Sequence, residues 1–400
     1  MLSKLISAIY VVILNIVNYI IGKIRSRNKD VDTLLYIASL YGHLDVVKYL
    51  IEKYHYDVNT RNKYGNTPLH LASRGGHLNI IKYLIKECHC DINIRNNDGN
   101  TPLHYVSWYN YLDIVKYLIE ECHCDVNVRD NVGNTAFHLA SKKGNLSIVK
   151  YLTEKCDVNI RNNDGNAPLH IASRCDHLDV VKYLVEECQC DVNMKSSYYN
   201  HTPLHFASFA GHLDIVKYLI EECQCDVNIR DNDGNTVLHT ASSGGHIDIV
   251  KYLIEECQCD VNVKNDDGNT PLYIASKNSH LDIVKYLIKE CQCDVNIRNN
   301  DGDTPLHLAS FYGHLDIVKY LVEERHCNVN TEDSNGNTPL HIASKNGHLK
   351  IVKYFIEEHG CDINVKNNDG LTPLWYAKFY NNNSIIRYFS LNRIFLTPLF

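Results

Sequence analysis

The sequence predicts an all-α repeat solenoid, and three observations lead to this fold class. The string Gly-Asn-Thr-Pro-Leu-His recurs along the 400-residue chain at a nearly constant interval. Between its copies, apolar residues recur at helical spacing. The composition, 44% hydrophobic and 22% charged, is typical of a folded chain. A fixed period of this length indicates one supersecondary unit that is stacked many times.

The threonine of the recurring string marks the register of the repeats. The intervals between its positions are 34, 34, 32 and 35 residues, followed by five of 34. The positions are Thr67, Thr101, Thr135, Ala167, Thr202, Thr236, Thr270, Thr304, Thr338 and Thr372, with a degenerate copy at Thr33. About eleven repeats are therefore expected over residues 30–391. Residues 1–29 precede the array as a hydrophobic segment, and residues 392–400 follow it as an apolar tail.

One repeat can be interpreted in order along residues 202–234. Thr202-Pro203 is a cap and a first helical residue, since proline needs no amide partner there. Gly211 ends this short helix. Residues 213–223 carry the apolar stripe of a second helix. An extended segment at 226–230 leads to Asp233-Gly234, which is a hairpin-turn signal, so the predicted unit is helix, turn, helix and hairpin.

This unit closely resembles the ankyrin repeat. The resemblance is carried by Thr-Pro-Leu-His, by Ala-Ser-x-x-Gly-His-Leu-Asp-Ile-Val-Lys-Tyr-Leu and by Asp-Val-Asn, as in residues 202–228, and it covers residues 33–390. It implies L-shaped units with projecting β-hairpin loops. It also implies a concave face, made of hairpin tips and first helices, that usually binds partner proteins. The usual Gly-Ala before Asp-Val-Asn is replaced by Cys-x-Cys with one added residue, so we expect one more helical turn or a wider loop there.

Histidines recur at two positions of the repeat, and we interpret both as structural. The resemblance implies that the first series bonds backbone between neighbouring units. Tyr36, Tyr273 and Trp375 replace it in three repeats without breaking the period. The first series is His70, His104, His138, His170, His205, His239, His307 and His341, and the second is His43, His77, His177, His212, His246, His280, His314 and His348.

The Cys-x-Cys pairs are expected to pack rather than to bind a metal. A closed zinc site needs four ligands at about 2.3 Å, and the next pair lies one repeat away, at about 8–10 Å. The second cysteine persists at Cys156, Cys327 and Cys361, where the first is lost. A small buried hydrophobe explains that pattern. Disulfides are not expected at this spacing, so the thiols are predicted to be reduced and to face the cytosol; metal or redox binding is the less favoured alternative.

No cofactor, catalytic residue or small-molecule substrate is expected. The chain lacks a phosphate-binding glycine-rich loop, a nucleophile elbow and a His-Glu-x-x-His helix. Its net charge of −7 gives no indication of nucleic-acid binding. The predicted function is therefore a non-enzymatic scaffold that binds a protein partner, whose identity the fold does not specify.

Residues that vary between repeats are the candidates for partner binding. The two positions after Ala-Ser end the first helix, and aromatic residues there are typical of binding hot spots. One loop also departs from the others, because two tyrosines replace its turn sequence. The candidates are Trp108, Tyr109, Tyr198, Tyr199, Phe209, Phe311 and Tyr312. The alternatives are packing against neighbouring hairpins for the helix-end residues, and sequence drift at a tolerant loop tip for Tyr198 and Tyr199.

Residues 5–22 form an uncharged stretch with Lys4 before it and four basic residues after it. Eighteen helical residues reach about 27 Å, which is enough for a bilayer core. The charge balance places the array on the cytoplasmic side of a single-pass membrane protein. One alternative is a cap or interfacial helix on a cytoplasmic adaptor. The other is a cleaved signal peptide.

Overall fold

The structure is a computed structural model that describes residues 29–395, with the side chains of residues 33–391. Across these residues the chain forms 22 α-helices and no β-strand. The predicted membrane-spanning segment, residues 5–22, lies outside the described residues, as does the tail from residue 396. Within residues 29–395, none of the helices combines the length and apolar character needed to cross a bilayer.

The helices belong to two compact units that meet in sequence near residue 195. In the first unit, the first and second helices of successive repeats are α1 Lys29–Tyr41, α2 Leu44–Tyr54, α3 Pro68–Gly75, α4 Leu78–Lys86, α5 Pro102–Trp108, α6 Leu112–Lys116, α7 Ala136–Lys142, α8 Leu146–Thr153, α9 Pro168–Arg174 and α10 Leu178–Glu186. In the second unit, they are α11 Pro203–Ala210, α12 Leu213–Glu221, α13 Val237–Gly244, α14 Ile247–Glu255, α15 Pro271–Lys277, α16 Leu281–Lys289, α17 Pro305–Tyr312, α18 Leu315–Lys319, α19 Pro339–Lys345, α20 Leu349–Glu357, α21 Pro373–Phe379 and α22 Asn383–Phe395.

From α3 onwards, the first helix of each repeat begins directly after its marker residue, as predicted, whereas α1 already includes Thr33. Thr202 has an extended backbone, its hydroxyl accepts from the His205 amide, and Pro203 takes the first helical position. The His205 ring returns the bond, because its Nδ1 accepts from the Thr202 amide at 3.3 Å. This reciprocal arrangement satisfies donors that a helix start otherwise leaves free. A seven- or eight-residue helix is thus stabilised locally in almost every repeat.

The core of each repeat lies between its two helices. Leu204 and Ala207 of α11 and Ile215, Val216 and Leu219 of α12 are all essentially inaccessible to solvent. Within each unit, first helices also pack along the first helices of the next repeat. Because no single repeat encloses its own apolar face, stability comes from the stack.

The second helices end in a widened turn, which is the second of the two alternatives expected at Cys-x-Cys. The amides of Glu222 and Cys223 both donate to the Tyr218 carbonyl, at 3.0 and 3.3 Å. The Cys225 amide then reaches back to the Leu219 carbonyl at 3.0 Å, while Gln224 takes the left-handed conformation with φ 53°. In two repeats the widening is a full π-helical turn, Tyr117–Glu121 and Tyr320–Glu324. The added residue is thereby absorbed without lengthening the helix.

The loops differ from the expected β-hairpins, because their arms carry no strand pairing in the described chain. The tip is closed by two backbone bonds, from the Asp231 amide to the Asn235 carbonyl at 3.0 Å and from the Gly234 amide to the Asp231 carbonyl at 3.2 Å. The Asp231 carboxylate accepts from the amides of Asp233 and Asn235 at 2.9 and 2.8 Å. The Asp266 amide in the next loop donates to the Asp233 carbonyl at 3.1 Å. Hydrogen bonds from the Asp231 side chain, and backbone hydrogen bonds between successive loop tips, take the place of the strand pairing of a β-hairpin.

Candidate functional site

The N-terminal end of most first helices is tied to the next repeat through the first histidine series. The His239 Nδ1 accepts from the Thr236 amide at 3.1 Å, so its Nε2 carries the proton and donates to the Asn269 carbonyl at 3.0 Å. Burial opposes a charged ring and lowers the pKa of His239 to about 4. Equivalent inter-repeat bonds are made by His70, His104, His138, His205, His307 and His341. The predicted backbone role of this series is confirmed.

The C-terminal ends of several first helices are held by the second histidine series, and that of α5 is held by Asn145, whose side chain donates to the Trp108 carbonyl at 3.2 Å. His246 Nε2 bonds the Phe209 carbonyl at 3.0 Å, and His348 Nε2 bonds the Phe311 carbonyl at 2.7 Å. His314 does the same for the Lys277 carbonyl at 2.8 Å. The residues whose carbonyl groups take part in these hydrogen bonds are the ones whose side chains vary between repeats. The variable side chains therefore project from a fixed backbone.

The predicted aromatic residues at the helix ends are exposed, with one exception. Phe209 is 53% exposed, and Tyr109, Phe311 and Tyr312 are each about 40% exposed. Phe311 and Tyr312 contact each other, with ring centroids 4.8 Å apart. The exception is Trp108, which is half-buried and has the Nζ of Lys143, from the next repeat, 4.3 Å from its ring centroid. Packing against the neighbouring repeat thus accounts for part of the Trp108 surface.

Two concave surfaces accompany these residues, one in each unit. In the first unit, a groove of about 430 Å³ is lined by Arg74, Trp108, Tyr109, Val132 and Lys142 among others. In the second unit, a cleft of about 280 Å³ includes Tyr199, Phe209, His239 and Lys277. Both combine aromatic and basic side chains at first-helix ends. We call them the Trp108 groove and the Phe209 cleft.

The two tyrosines of the unusual loop are both well exposed, Tyr198 by 72% and Tyr199 by 53%. The Tyr199 ring stacks on His201, with centroids 5.4 Å apart. His201 Nε2 lies 3.1 Å from Asp231 Oδ2. Burial works against the ionised form of Asp231, but hydrogen bonds from His201 and Asn235 outweigh it and lower its pKa to about 2. Tyr199 is therefore held at the rim of the Phe209 cleft by a histidine that replaces the usual asparagine.

Sequence reasoning missed exposed aromatic residues at equivalent positions in the terminal repeats. Tyr41, Phe379 and Tyr380 occupy the same register as Tyr109, Phe311 and Tyr312 and are 66%, 64% and 47% exposed. Phe379 stacks on Trp375 at 4.9 Å. Counting seven or eight residues from each marker threonine would have found them. The search for Ala-Ser passed over Phe379 and Tyr380, because Lys378 follows Ala377 there.

The second cysteine of each pair is buried, and the first is half-buried. Burial raises the pKa of the second thiol in pairs such as Cys257 and Cys259, that of Cys259 to about 11. This confirms the packing interpretation except at Cys156, which is half-buried and donates its Sγ–H to the Leu152 carbonyl at 3.1 Å. In the described part of the chain, no group of three or more histidine, cysteine, aspartate or glutamate side chains is arranged to hold a metal ion.

Comparison with protein families gives the same result as the geometry. A family model described as ankyrin repeats in three copies matches residues 5–96, 35–130, 122–196, 188–265 and 257–333. A second, described as ankyrin repeats in many copies, matches residues 321–377. No curated protein sequence matches significantly. Since the family matches together extend over residues 5–377 and the repeated helix pairs have the corresponding architecture, the chain belongs to the ankyrin-repeat family.

Proposed function

We propose that this protein is a non-enzymatic scaffold that binds a partner protein through its first-helix ends and the adjoining loops. The observation that carries the proposal is a contrast within first helices such as α11 and α17. Their backbone is bonded to a neighbouring repeat, whereas the aromatic side chains at their ends, Phe209, Phe311 and Tyr312, are exposed. Ankyrin repeats are interaction modules, which agrees with this role.

A rigid backbone lowers the cost of binding. A partner that meets pre-positioned aromatic side chains loses less conformational freedom than one that must order flexible loops. Phe209 and Phe311 sit on helices whose ends are already hydrogen-bonded. Aromatic anchors in such positions are the residues that dominate binding energy in protein interfaces.

The proposal is tested by covalent cross-linking in cells followed by mass spectrometry. The test variant replaces Trp108, Tyr109, Phe209, Phe311 and Tyr312 by alanine. The control replaces five second-helix lysines by alanine, namely Lys116, Lys217, Lys251, Lys285 and Lys319. Cross-linked partners should fall at least tenfold in the test variant and persist in the control. Equal retention in both would place binding on another surface and reject the proposal.

We further propose that residues 5–22 tether the scaffold to a membrane as a single span, with the array on the cytoplasmic side. The support is the uncharged stretch and the basic residues that follow it. The alternative, a helix that caps the first repeat, is favoured by the family match that begins at residue 5. The two alternatives predict different responses to a charge placed inside the segment.

The test introduces Val12→Arg and Ile13→Arg into the full chain and follows carbonate-washed membranes. A span requires the unmodified chain to stay in the washed membrane and the double variant to leave it. A cap requires both chains to wash off and the double variant to melt at a lower temperature. The second result would reject the tether and leave the scaffold proposal intact.

A further inference from the structure

Charge is distributed unequally between the two helices of the repeats. From α3 to α21, the first helices contain no aspartate or glutamate. Their basic residues are Arg74, Lys142, Arg174, Lys277, Lys345 and Lys378. Acidic residues lie instead on the second helices and in the loops, and the whole chain carries a net charge of −7. The first-helix ends are thus a locally positive surface on an acidic protein.

The Trp108 groove concentrates this positive charge around an aromatic ring. Lys143 and Lys142 place their Nζ atoms 4.3 and 5.5 Å from the centroid of the Trp108 ring. Arg74 lines the groove from the preceding repeat. Val132 adds an apolar edge that is 57% exposed. Across residues 33–391, the ion pairs between basic side chains and carboxylates leave Arg74, Lys142 and Lys143 without a carboxylate partner.

The carboxylate within the groove, Asp130, forms no ion pair with these cations. Asp130 Oδ1 accepts from the amides of Val132 and Asn134 at 3.0 and 2.7 Å, and its Oδ2 accepts from the Asn134 side chain at 3.3 Å. Its bonds therefore shape the loop tip. The three exposed basic side chains remain available to an acidic group from outside the chain.

We infer that the Trp108 groove binds an acidic segment of a partner protein, in which carboxylates flank one apolar side chain. The apolar side chain lies between Trp108 and Val132, and the flanking carboxylates pair with Arg74, Lys142 and Lys143. The inference rests on the proposed scaffold function and specifies the chemistry of the partner. Complementary charge of this kind increases the association rate and selects among partners.

A protein segment fits this groove better than a nucleic acid does. Asp130 is fixed inside the groove, and Asp98 and Asp164 lie near the tips of the neighbouring loops. A continuous row of phosphates would meet these carboxylates, whereas a peptide can place uncharged residues opposite them. The exposed Val132 also favours an apolar side chain over a sugar–phosphate backbone.

The experiment uses the full chain in mild detergent and a displayed library of random twelve-residue peptides. The chain has two tryptophans, so Trp375→Phe makes Trp108 the sole fluorescent reporter of the groove. Trp375 is 40% exposed, and circular dichroism checks that this background is folded. Enriched peptides are synthesised and titrated against the reporter chain at low and high salt.

The charge test compares two double variants in the reporter background. Lys142→Glu with Lys143→Glu reverses the groove, and Lys82→Glu with Lys116→Glu makes the same change on second helices. Both pairs lose lysine contacts to aromatic rings, so they are matched. The inference requires enriched peptides with several acidic residues around an apolar one, a change in Trp108 fluorescence and at least tenfold weaker binding in the groove variant alone.

Three outcomes would overturn the inference. They are the absence of enriched peptides, enrichment of neutral or basic peptides, and acidic peptides whose binding survives the groove variant. A mixed-sequence single-stranded DNA that binds more tightly than the peptides and depends on Lys142 and Lys143 would also overturn it in favour of nucleic acid. The scaffold proposal is judged separately by the aromatic variant in cells, so the two failures are distinguishable.

Discussion

Histidine recurs at two positions of the repeat, at opposite ends of the first helix, and the two positions differ in burial. His239 is fully buried between Thr236 and the next loop, whereas His280 is half-buried and bonds the Ser243 carbonyl at 3.0 Å. The cysteine pairs repeat the contrast, with Cys259 buried and Cys257 half-buried. We therefore expect the same residue type to contribute differently to stability at its two positions. The buried residue of each pair should contribute more than the half-buried one.

The largest expected effect is loss of stability in mild acid, caused by the buried histidines. The pKa of His70, His138, His205, His239 and His307 is lowered to about 4 from 6.5 by burial. The unfolded chain therefore binds more protons, so stability is intact above pH 6.5 and falls as the pH drops towards 4. Each histidine costs about 3 kcal/mol at the end of this window. Denaturant unfolding followed by circular dichroism at pH 7.5, 6, 5 and 4.5 measures the loss.

The repeat that carries Tyr273 is an internal control for this effect. Tyr273 takes the buried position, its hydroxyl bonds the Asn299 side chain at 2.7 Å, and it does not titrate in acid. The pKa of Asp303 nearby is raised to about 6 by burial and by Asp333 and Asp301, so its buried charge is relieved over the same window. Hydrogen exchange should therefore accelerate least around residues 270–303 at pH 5. Uniform acceleration would mean that the buried histidines are not the cause.

The next effect compares single substitutions at the two histidine positions. His239→Ala leaves the Thr236 amide and the Asn269 carbonyl without their partners in a poorly hydrated seam, and we expect a local loss of about 3 kcal/mol. His280→Ala removes one partly solvated bond and should cost about 1 kcal/mol. Hydrogen exchange of peptides from the two repeats measures both. Equal losses of stability in the two variants would show that the difference in burial does not change what each histidine contributes.

A smaller difference is expected within one cysteine pair. Cys259→Ser places a hydroxyl in a buried apolar position and should cost about 1–2 kcal/mol, whereas Cys257→Ser should change stability by less than about 0.5 kcal/mol. Burial raises the pKa of both thiols, that of Cys259 to about 11, so Cys257 should also be alkylated first. Thermal melts and timed alkylation at pH 8 test the pair, and a larger loss at Cys257 would contradict the packing interpretation.

The short repeat that begins at Thr135 explains why the second cysteine is the fixed one. In the 34-residue repeat before it, the Cys124 amide reaches the Leu118 carbonyl across six residues, at 3.0 Å. After a two-residue deletion, the Cys156 amide reaches the equivalent carbonyl of Leu152 across four, at 3.1 Å. The first cysteine and the left-handed residue after it can therefore be deleted without loss of this hydrogen bond. In both repeats the amide of the retained cysteine donates to the equivalent leucine carbonyl near the end of the second helix.

Much of the fold could be predicted from the sequence, because the recurring Thr-Pro-Leu-His string marks the register of each repeat. The caps at Thr202 and its equivalents, the helix pairs and the inter-repeat role of His205 all follow from local spacing and from the family pattern. For the widened turn at Gln224 the sequence allows two alternatives, since chain length alone does not distinguish one more helical turn from a wider loop. Exposure was harder to predict, because the cover over Trp108 comes from Lys143, in the next repeat.

The smallest effect on stability is expected where the effect on binding should be greatest. Phe311 and Tyr312 lie at a helix end, are each about 40% exposed and contact each other, so part of the area that each ring buries is covered only by the other ring. We expect a loss below about 1 kcal/mol, because the His348 bond to the Phe311 carbonyl uses the backbone and survives the change. Thermal melts of this double variant and of His348→Ala provide the comparison. If the aromatic variant lost more stability than His348→Ala, then Phe311 and Tyr312 would be packing residues. Phe209 and Tyr199 would then be the remaining candidates for partner binding in the second unit.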